Sequence, residues 1–299
     1  MTAERRIFTA FALNLSFAIL EFFGGALTGS VAITSDALHD LGDAAGIGLS
    51  WFLERKSGRP PDGDHTFGYA RFSVLGSILT TLILLFGSVF VILNAVQRIF
   101  HPVGIHYNGM ILFALLGAGV NLGALWFTRD GDSLNQKAVN LHMLEDVLGW
   151  LVVLLGAVVM RFTGFALLDP LLSVGVALFI LVHAGKPLKE GLEILLESVP
   201  HGLSVPELEQ HLLQLDGVLE IHHLHLWTLD GRHNLATLHA VTDGDFHTIK
   251  HAIREELAEH GVGHVTLELE SPGEHCHARD CRLEPLPSHG HHHHHHHHH

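Results

Sequence analysis

The chain has 299 residues, of which 47% are apolar, with a formal net charge of −14 and a mean hydropathy of +0.31. The acidic balance excludes a nucleic-acid partner, which requires a basic surface. Nine of the 29 histidines form the terminal run His291–His299, which has the composition of an expression tag and carries no functional argument, so 20 histidines remain.

Long uncharged runs predict a polytopic α-helical membrane protein. No residue is charged between Phe72 and Gln97, or between Ile99 and Thr128 if histidine is neutral, and each run exceeds the roughly 20 residues that cross a bilayer. We predict six transmembrane helices, at Ile7 to Gly29, Val31 to Leu53, Phe72 to Phe100, Asn108 to Thr128, Ala138 to Phe162, and Leu168 to His183.

The positive charges predict an orientation in the membrane. Most of them fall on one side of the six-span arrangement, namely Arg5, Arg6, Arg55, Lys56, Arg59, Arg71, Arg129, Lys137, Lys186 and Lys189. The opposite side has mainly Arg161, with Arg98 near it. Since cytoplasmic loops carry the excess of Lys and Arg, both termini are expected in the cytoplasm. As a separate expectation, the membrane is a bacterial inner (plasma) membrane.

The carboxyl-terminal third predicts a small soluble αββαβ domain of the ferredoxin-like type. The expected elements are a helix over 206–215, strands over 218–229 and 234–241, a helix over 248–260 and a strand over 264–270. We divide the chain into a transport domain (1–185), a charged, helix-like connector (186–203), this cytoplasmic domain (204–271), a His/Cys tail (272–290) and the terminal run (291–299). About 70 residues make a small core, so dimerisation or metal would help the domain persist.

A His-x-x-x-Asp pattern occurs twice within the apolar helical sequence. His39 and Asp43 form the first pair, and His142 and Asp146 form the second. A helix places residues four apart on one face, so the two pairs could surround one metal ion. Imidazole and carboxylate suit zinc, and protons would compete for the same histidines. The alternative is a structural hydrogen-bond cluster that holds helices together.

Several motifs together resemble the cation diffusion facilitator family, a family of proton-coupled divalent metal transporters of the zinc type. The motifs are Gly29 to Asp43, the loop His65-Thr66-Phe67-Gly68-Tyr69, the pair His142 and Asp146, and His222-His223-Leu224-His225-Leu226-Trp227. The resemblance runs from Phe8 to Glu270 and follows the family's order of six spans and a cytoplasmic domain.

The resemblance implies a homodimer in the lipid bilayer that exports a divalent metal from the cytoplasm in exchange for protons by alternating access. It places the transport site at His39, Asp43, His142 and Asp146, and it favours Zn²⁺, with Cd²⁺ or another divalent transition metal as a further substrate. Asp36 and Asp40 beside this site, and Glu21 on the first span, are expected to serve metal access or proton handling. The resemblance also implies a charge interlock between Arg71 and Glu197.

The resemblance implies cytoplasmic metal ligands at His222, His239, Glu268 and Glu270, where zinc would also be regulatory; the family's His and Asp on the last strand are both Glu here. We expect His223 to face away from His222 and His225. A further zinc site is possible in the tail at His275, Cys276, His277 and Cys281, although a tail without fixed geometry is equally compatible. The loop that contains Asp62, Asp64 and His65 is expected to lack a complete site, because Tyr69 replaces a family ligand.

Other classes of protein fit the sequence less well. A membrane haem protein would need no aspartate one turn beyond each histidine. An intramembrane metalloprotease would need a His-Glu-x-x-His motif, which the sequence does not contain. A passive metal channel or a membrane sensor could use the same ligands as a transporter.

Replacement of His39 by Asp should broaden the metal range toward cadmium. The family associates an all-carboxylate pair on the second span with broader zinc and cadmium use. The measurement is cadmium against zinc transport by the H39D variant in sealed vesicles. Unchanged zinc selectivity would show that residue 39 does not set the preference.

Overall fold

The computed structural model describes residues 2–28, 31–101, 107–129, 133–163 and 167–274, and within these ranges it does not describe the side chains of residues 24–39, of residues 107–110 or of several other positions. Two compact units divide the chain. The first runs to His201 and includes Trp227–Asn234, and the second consists of Gly202–Leu226 and the chain from Leu235 onward.

Six long helices build the first unit. They are α1 (Ala3–Thr28), α2 (Val31–Ser57), α3 (Arg71–Phe100), α4 (Tyr107–Thr128), α5 (Leu134–Thr163) and α6 (Leu168–Leu195). Within the described residues, four of them are long and apolar enough to cross a membrane by length and composition, at Ala3–Phe23, Arg71–Gln97, Ile111–Thr128 and Leu134–Thr163. The apolar character of α2 is lower because it carries Asp36, Asp40 and Asp43.

Several helices are longer than the predicted spans. α1 begins four residues before Ile7 and α5 begins four residues before Ala138, since helical hydrogen bonding continues into polar end turns. α6 continues through Pro187 to Leu195, across residues that we predicted as a charged connector. The i,i+4 pairs Lys186–Glu190 (3.8 Å) and Lys189–Glu193 (3.6 Å) favour this continuation.

Small residues allow close approach of the helices. A Cβ at Gly76 would lie 2.7 Å from the side chain of Asn135 on α5, and one at Gly191 would lie 2.7 Å from that of Ile78 on α3. At Gly117 of α4 a Cβ would overlap the indole of Trp150 on α5. Contacts between membrane helices depend on such small residues, because lipid tails are as apolar as leucine.

The second unit has the predicted order αββαβ. Its elements are α7 (Val205–Leu213), β1 (Val218–Thr228), β2 (Asn234–Thr242), α8 (Phe246–Glu259) and β3 (Val262–Glu270), and the strands form one sheet in the order β1-β2-β3. The Asp245 carboxylate caps α8 by accepting from the backbone N–H of Thr248 at 2.9 Å.

Helices α7 and α8 cover the sheet with one apolar core. Its buried members from the helices are Leu208, Leu212, Ile249, Ile253 and Leu257, and those from the strands include Ile221, Leu226, Ala236, Leu238 and Val262. The β1–β2 turn is fixed by Asp230, whose Oδ1 accepts from the N–H groups of Arg232 and His233 at 3.0 Å each. Gly231 in this turn has φ 84°, which glycine adopts without steric cost.

The Gly117→Ala substitution should destabilise the helix bundle, because the added methyl group would overlap the Trp150 ring. Overpacking of this kind costs about 1–3 kcal/mol, so a lower thermal unfolding midpoint in detergent is expected. Gly119→Ala on the same helix is the matched control, since a Cβ there meets nothing within 4 Å. Equal midpoints for the two variants would contradict the close α4–α5 contact.

Candidate metal centre

Two carboxylates and one imidazole meet between α2 and α5. Nε2 of His142 lies 4.0 Å from Oδ1 of Asp43 and 4.0 Å from Oδ2 of Asp146. The His142 side chain is 6% exposed, and the two aspartate side chains are 14% and 16% exposed. One ligand atom from each residue can be chosen so that all three lie within 4.8 Å of one another. The centre is therefore almost closed to solvent.

Neighbouring apolar side chains fix the positions of these ligands. Ile47 lies one turn after Asp43 on α2, and Val139 and Met143 lie beside His142 on α5. All three are fully buried in one cluster with Ile7 and Ala10 of α1 and Ala124 of α4. Since His142 and Asp146 are four residues apart, the same helix face presents both.

The energetics of burial favour a bound cation. An ionisable side chain at membrane depth costs about 2.5–3.5 kcal/mol on insertion scales, and two adjacent carboxylates also repel one another. Zinc holds nitrogen and oxygen ligands at 2.0–2.2 Å, so tetrahedral ligand atoms lie about 3.3 Å apart. Contraction of the two 4.0 Å separations by less than 1 Å would bring His142 to this distance from each aspartate.

More acidic side chains surround the centre. Asp40 and Glu145 are close enough to Asp146 to interact with it electrostatically. Asp40 is half-buried, and Glu145 accepts a hydrogen bond from the Ser88 hydroxyl at 3.2 Å. Sequence reasoning assigned no role to Glu145, although it adjoins Asp146 in the second motif.

The remaining predicted residues of the membrane unit differ in how far the structure describes them. Asp36 and His39 lie on the helical backbone of α2, and their side chains lie outside the described residues. Glu21 is fully buried on α1, with 1% of its surface exposed.

A second polar network joins α2, α3 and α5 and was missed by sequence reasoning. Glu54 is buried, and its Oε2 accepts from the Ser73 hydroxyl at 2.7 Å and from Nδ2 of Asn135 at 3.1 Å. Nδ2 of Asn135 also donates to the Ser50 carbonyl at 2.9 Å, and the Ser50 hydroxyl donates to Oδ1 of Asn135. This network, Ser50–Glu54–Ser73–Asn135, ties the three helices together.

The structure brings Arg71 and Glu197 together. Nη2 of Arg71 donates to Oε1 of Glu197 at 2.8 Å, and the side chains are 38% and 62% exposed. Glu197 follows the end of α6 with φ 56°, in the left-handed conformation that glycine usually supplies at this position. A non-glycine residue there costs roughly 1–2 kcal/mol.

The predicted cytoplasmic ligands also cluster in the second unit. Nδ1 of His239 lies 2.7 Å from Oε1 of Glu270, and Nε2 of His222 lies 3.4 Å from the same oxygen. Nε2 of His239 lies 3.3 Å from Oε2 of Glu268. Three of these residues, His222, His239 and Glu270, could present ligand atoms to one ion.

The expectation for His223 is wrong. Its ring centroid lies 4.7 Å from that of His225 and 5.0 Å from that of His239, while the rings of His222 and His239 are 5.3 Å apart. The reason is a φ of 53° at His223, which interrupts the alternation of β1. Burial, and then the neighbouring His223, lower the pKa of His225.

The loop between α2 and α3 uses its polar groups internally. The Tyr69 hydroxyl donates to Oδ2 of Asp62 at 2.7 Å, and Oδ1 of Asp62 accepts from the N–H groups of Asp64 and His65. The Tyr69 bond, and then that of His65, lower the pKa of Asp62. The His65 ring stacks on Tyr69 at 4.1 Å. Asp62 is thus engaged by its own loop.

The candidate tail ligands are His275, Cys276, His277 and Cys281, and all four lie outside the described residues.

A buried carboxylate–histidine centre within an apolar helix bundle defines a membrane protein that handles cations. Two family models match the chain, the "Cation efflux transmembrane domain" over residues 7–196 and the "Cation efflux protein, cytoplasmic domain" over residues 200–272. The chain belongs to the cation diffusion facilitator family. It is therefore a transporter of the cation-efflux class and an integral protein of the membrane.

Named proteins of similar sequence align with nearly the whole chain. "Zinc transporter ZitB" of Yersinia pestis is 35% identical over 296 residues, which are 96% of this chain and 94% of the relative. "Metal cation efflux system protein CzcD" of Cupriavidus metallidurans is 33% identical, with 89% and 86% covered. "Cadmium, cobalt and zinc/H(+)-K(+) antiporter" of Bacillus subtilis is 29% identical, with 96% of each covered.

Proposed function

We propose that the chain exports Zn²⁺ from the cytoplasm across the bacterial inner membrane in exchange for protons, as a homodimer that alternates between inward-open and outward-open forms. The observation that carries the proposal is the convergence of Asp43, His142 and Asp146 between α2 and α5. The names of two relatives, a zinc transporter and a proton-coupled antiporter, support zinc as the metal and protons as the exchanged ion.

Helix register supports His39 as the fourth ligand. Ser50 bonds to Asn135, and seven residues away on each helix Asp43 lies beside His142. α2 and α5 therefore run antiparallel, and the same number of residues separates the two contacts on each helix. One turn further, α2 reaches His39 where α5 reaches Asp146, which supports a position for His39 level with Asp146. The geometry of a tetrahedral zinc site needs four such ligands.

Proton exchange follows from the chemistry of the ligands. Zinc binds neutral imidazole and ionised carboxylate, so a protonated His142 cannot bind it. Histidine changes charge near neutral pH, which lets protons displace the metal where the site opens to a more acidic solution. Asp40, with Asp36 and Glu21, would pass metal or protons to the site, because carboxylates near Asp146 stabilise an arriving cation.

The cytoplasmic unit would sense zinc and support the homodimer. The metal there would be held by His222, His239, Glu268 and Glu270.

The interlock between Arg71 and Glu197 would join α3 to the end of α6. Arg71 lies at the positive end of α3 and Glu197 at the negative end of α6, so each charge compensates the other's unfavourable helix dipole. The Cys/His tail would bind zinc, and the transport site would not depend on it.

Alanine substitution of Asp43, His142 or Asp146 should abolish zinc transport, because each change removes a ligand from the buried centre. The assay uses sealed vesicles with the cytoplasmic face outward and an acidic lumen, in which zinc should accumulate against its gradient. Zinc uptake by each variant should fall to the level of protein-free vesicles. Each variant should remain a dimer in size-exclusion chromatography.

His183→Ala is the matched control for these variants. His183 also lies on a long helix, and its Nδ1 donates to the Phe179 carbonyl of the same helix at 2.8 Å. Because His183 is not among the proposed ligands, this variant should transport normally. Retained transport in both H142A and D146A would contradict the proposed site. Zinc movement that requires no pH gradient would instead indicate a channel.

Glu197→Gly should separate the function of the Arg71 pair from its effect on stability. Glycine relieves the left-handed backbone, while the lost surface ion pair is worth at most about 1 kcal/mol. We expect an unchanged unfolding midpoint and several-fold slower transport. The double swap of Arg71→Glu with Glu197→Arg should recover transport lost in either single swap. If the double swap recovers nothing, direct pairing is unsupported.

A further inference from the structure

A third group of ligand side chains lies between the two helices of the second unit. It consists of His211 on α7, Glu256 on α8 and His260, which caps the end of α8. One ligand atom from each can be chosen so that all three lie within 4.8 Å of one another. None of the three belongs to the strand cluster of His222, His239, Glu268 and Glu270.

The packing of α7 on α8 fixes the distance between these residues. Leu212 follows His211, and Leu257 follows Glu256, and both leucines are fully buried in the same core. Glu256 and His260 are one helical turn apart, so they share a face of α8. The three donors form a rim at the edge of a packed helix–helix contact, with exposed fractions of 49%, 23% and 30% for His211, Glu256 and His260.

The distances match those of a metal site. Nδ1 of His211 lies 3.3 Å from Oε1 of Glu256, about the separation of two ligands on a tetrahedral zinc ion. The His260 ring lies against the same carboxylate, with its Nδ1 3.6 Å from Oε1 of Glu256. The rings of His211 and His260 meet edge to face with centroids 4.9 Å apart. The two imidazoles are therefore already neighbours with the backbone in its present position.

A backbone hydrogen bond prepares His260 as a ligand. Its Nδ1–H donates to the Glu256 carbonyl at 3.0 Å, which fixes the tautomer and leaves the lone pair on Nε2. Histidine ligands of metals usually donate their other ring N–H in this manner. The surface pair of His251 and Glu255, 3.2 Å apart on the same helix, differs in that no third ligand side chain among the described residues groups with it.

We propose that His211, Glu256 and His260 bind a divalent transition metal of the zinc class, with water completing the coordination. Two imidazoles and one carboxylate are the donor set of open, solvent-accessible zinc sites. The ion joins α7 to α8 and stabilises this edge of the domain when cytoplasmic metal rises. Only the choice of zinc as the probe rests on the proposed function, and the site itself requires no transport.

The test is hydrogen–deuterium exchange of the full chain in detergent, with and without Zn²⁺, read at peptides from α7 and from the end of α8. A local readout is needed because the terminal histidine run also binds zinc. At zinc one hundred times the dissociation constant, openings that break the site should become about a hundredfold rarer. Exchange in 205–213 and 257–261 should slow accordingly in the unaltered chain.

Four variants distinguish zinc bound at this site from zinc bound elsewhere in the chain. His211→Gln and His260→Gln should each lose the zinc effect, with every variant compared to its own zinc-free exchange so that altered stability is cancelled. His251→Gln, the matched control on α8, should keep it. The double variant His222→Ala with His239→Ala should also keep it. Absence of slowing in the unaltered chain, slowing retained in His211→Gln, or loss in either control would overturn the proposal.

Discussion

The architecture depends on one constraint, which is that acidic groups buried between apolar helices need a positive partner. Asp43 and Asp146 lie against His142 with little solvent contact, and the apolar cluster of Ile47, Val139 and Met143 prevents these side chains from turning away. A site of this kind binds a cation when its ligands are deprotonated and loses that cation when they are protonated. In the proposed exchange of zinc for protons, the packing that makes burial costly would also make the centre responsive to protons.

The glycine contacts and the polar network serve the same end. Close approach at Gly76 brings α3 against Asn135, and Asn135 in turn bonds to Ser50 and Glu54 of α2. Buried polar groups of this kind are expensive unless every member has a partner, so a satisfied network specifies one helix arrangement. The two helices that carry the candidate ligands are thus held by contacts of two kinds, the apolar cluster beside the candidate centre and the hydrogen-bond network two turns away.

Much of the molecule could be predicted from its sequence, because long uncharged runs and the i,i+4 spacing of His142 and Asp146 are local signals. The wrong expectation for His223 has a local cause too. The φ of 53° at His223 breaks an alternation that the sequence favours. Contacts such as Glu54 with Asn135 or His211 with Glu256 join residues 81 and 45 positions apart, and no periodicity links such residues.

The equal spacing of the two polar contacts between α2 and α5 has a mechanical consequence. Seven residues of helix, about 10 Å, separate the Ser50–Asn135 bond from the Asp43–His142 pair along each helix. The bonded end acts as a fulcrum and the metal end as the free arm of a lever. Sliding of one helix past the other would break the network, whereas a small tilt about the bonded end would change the Asp43–His142 separation and leave the network intact. The two helical turns between the contacts set how far a given tilt would move the metal end.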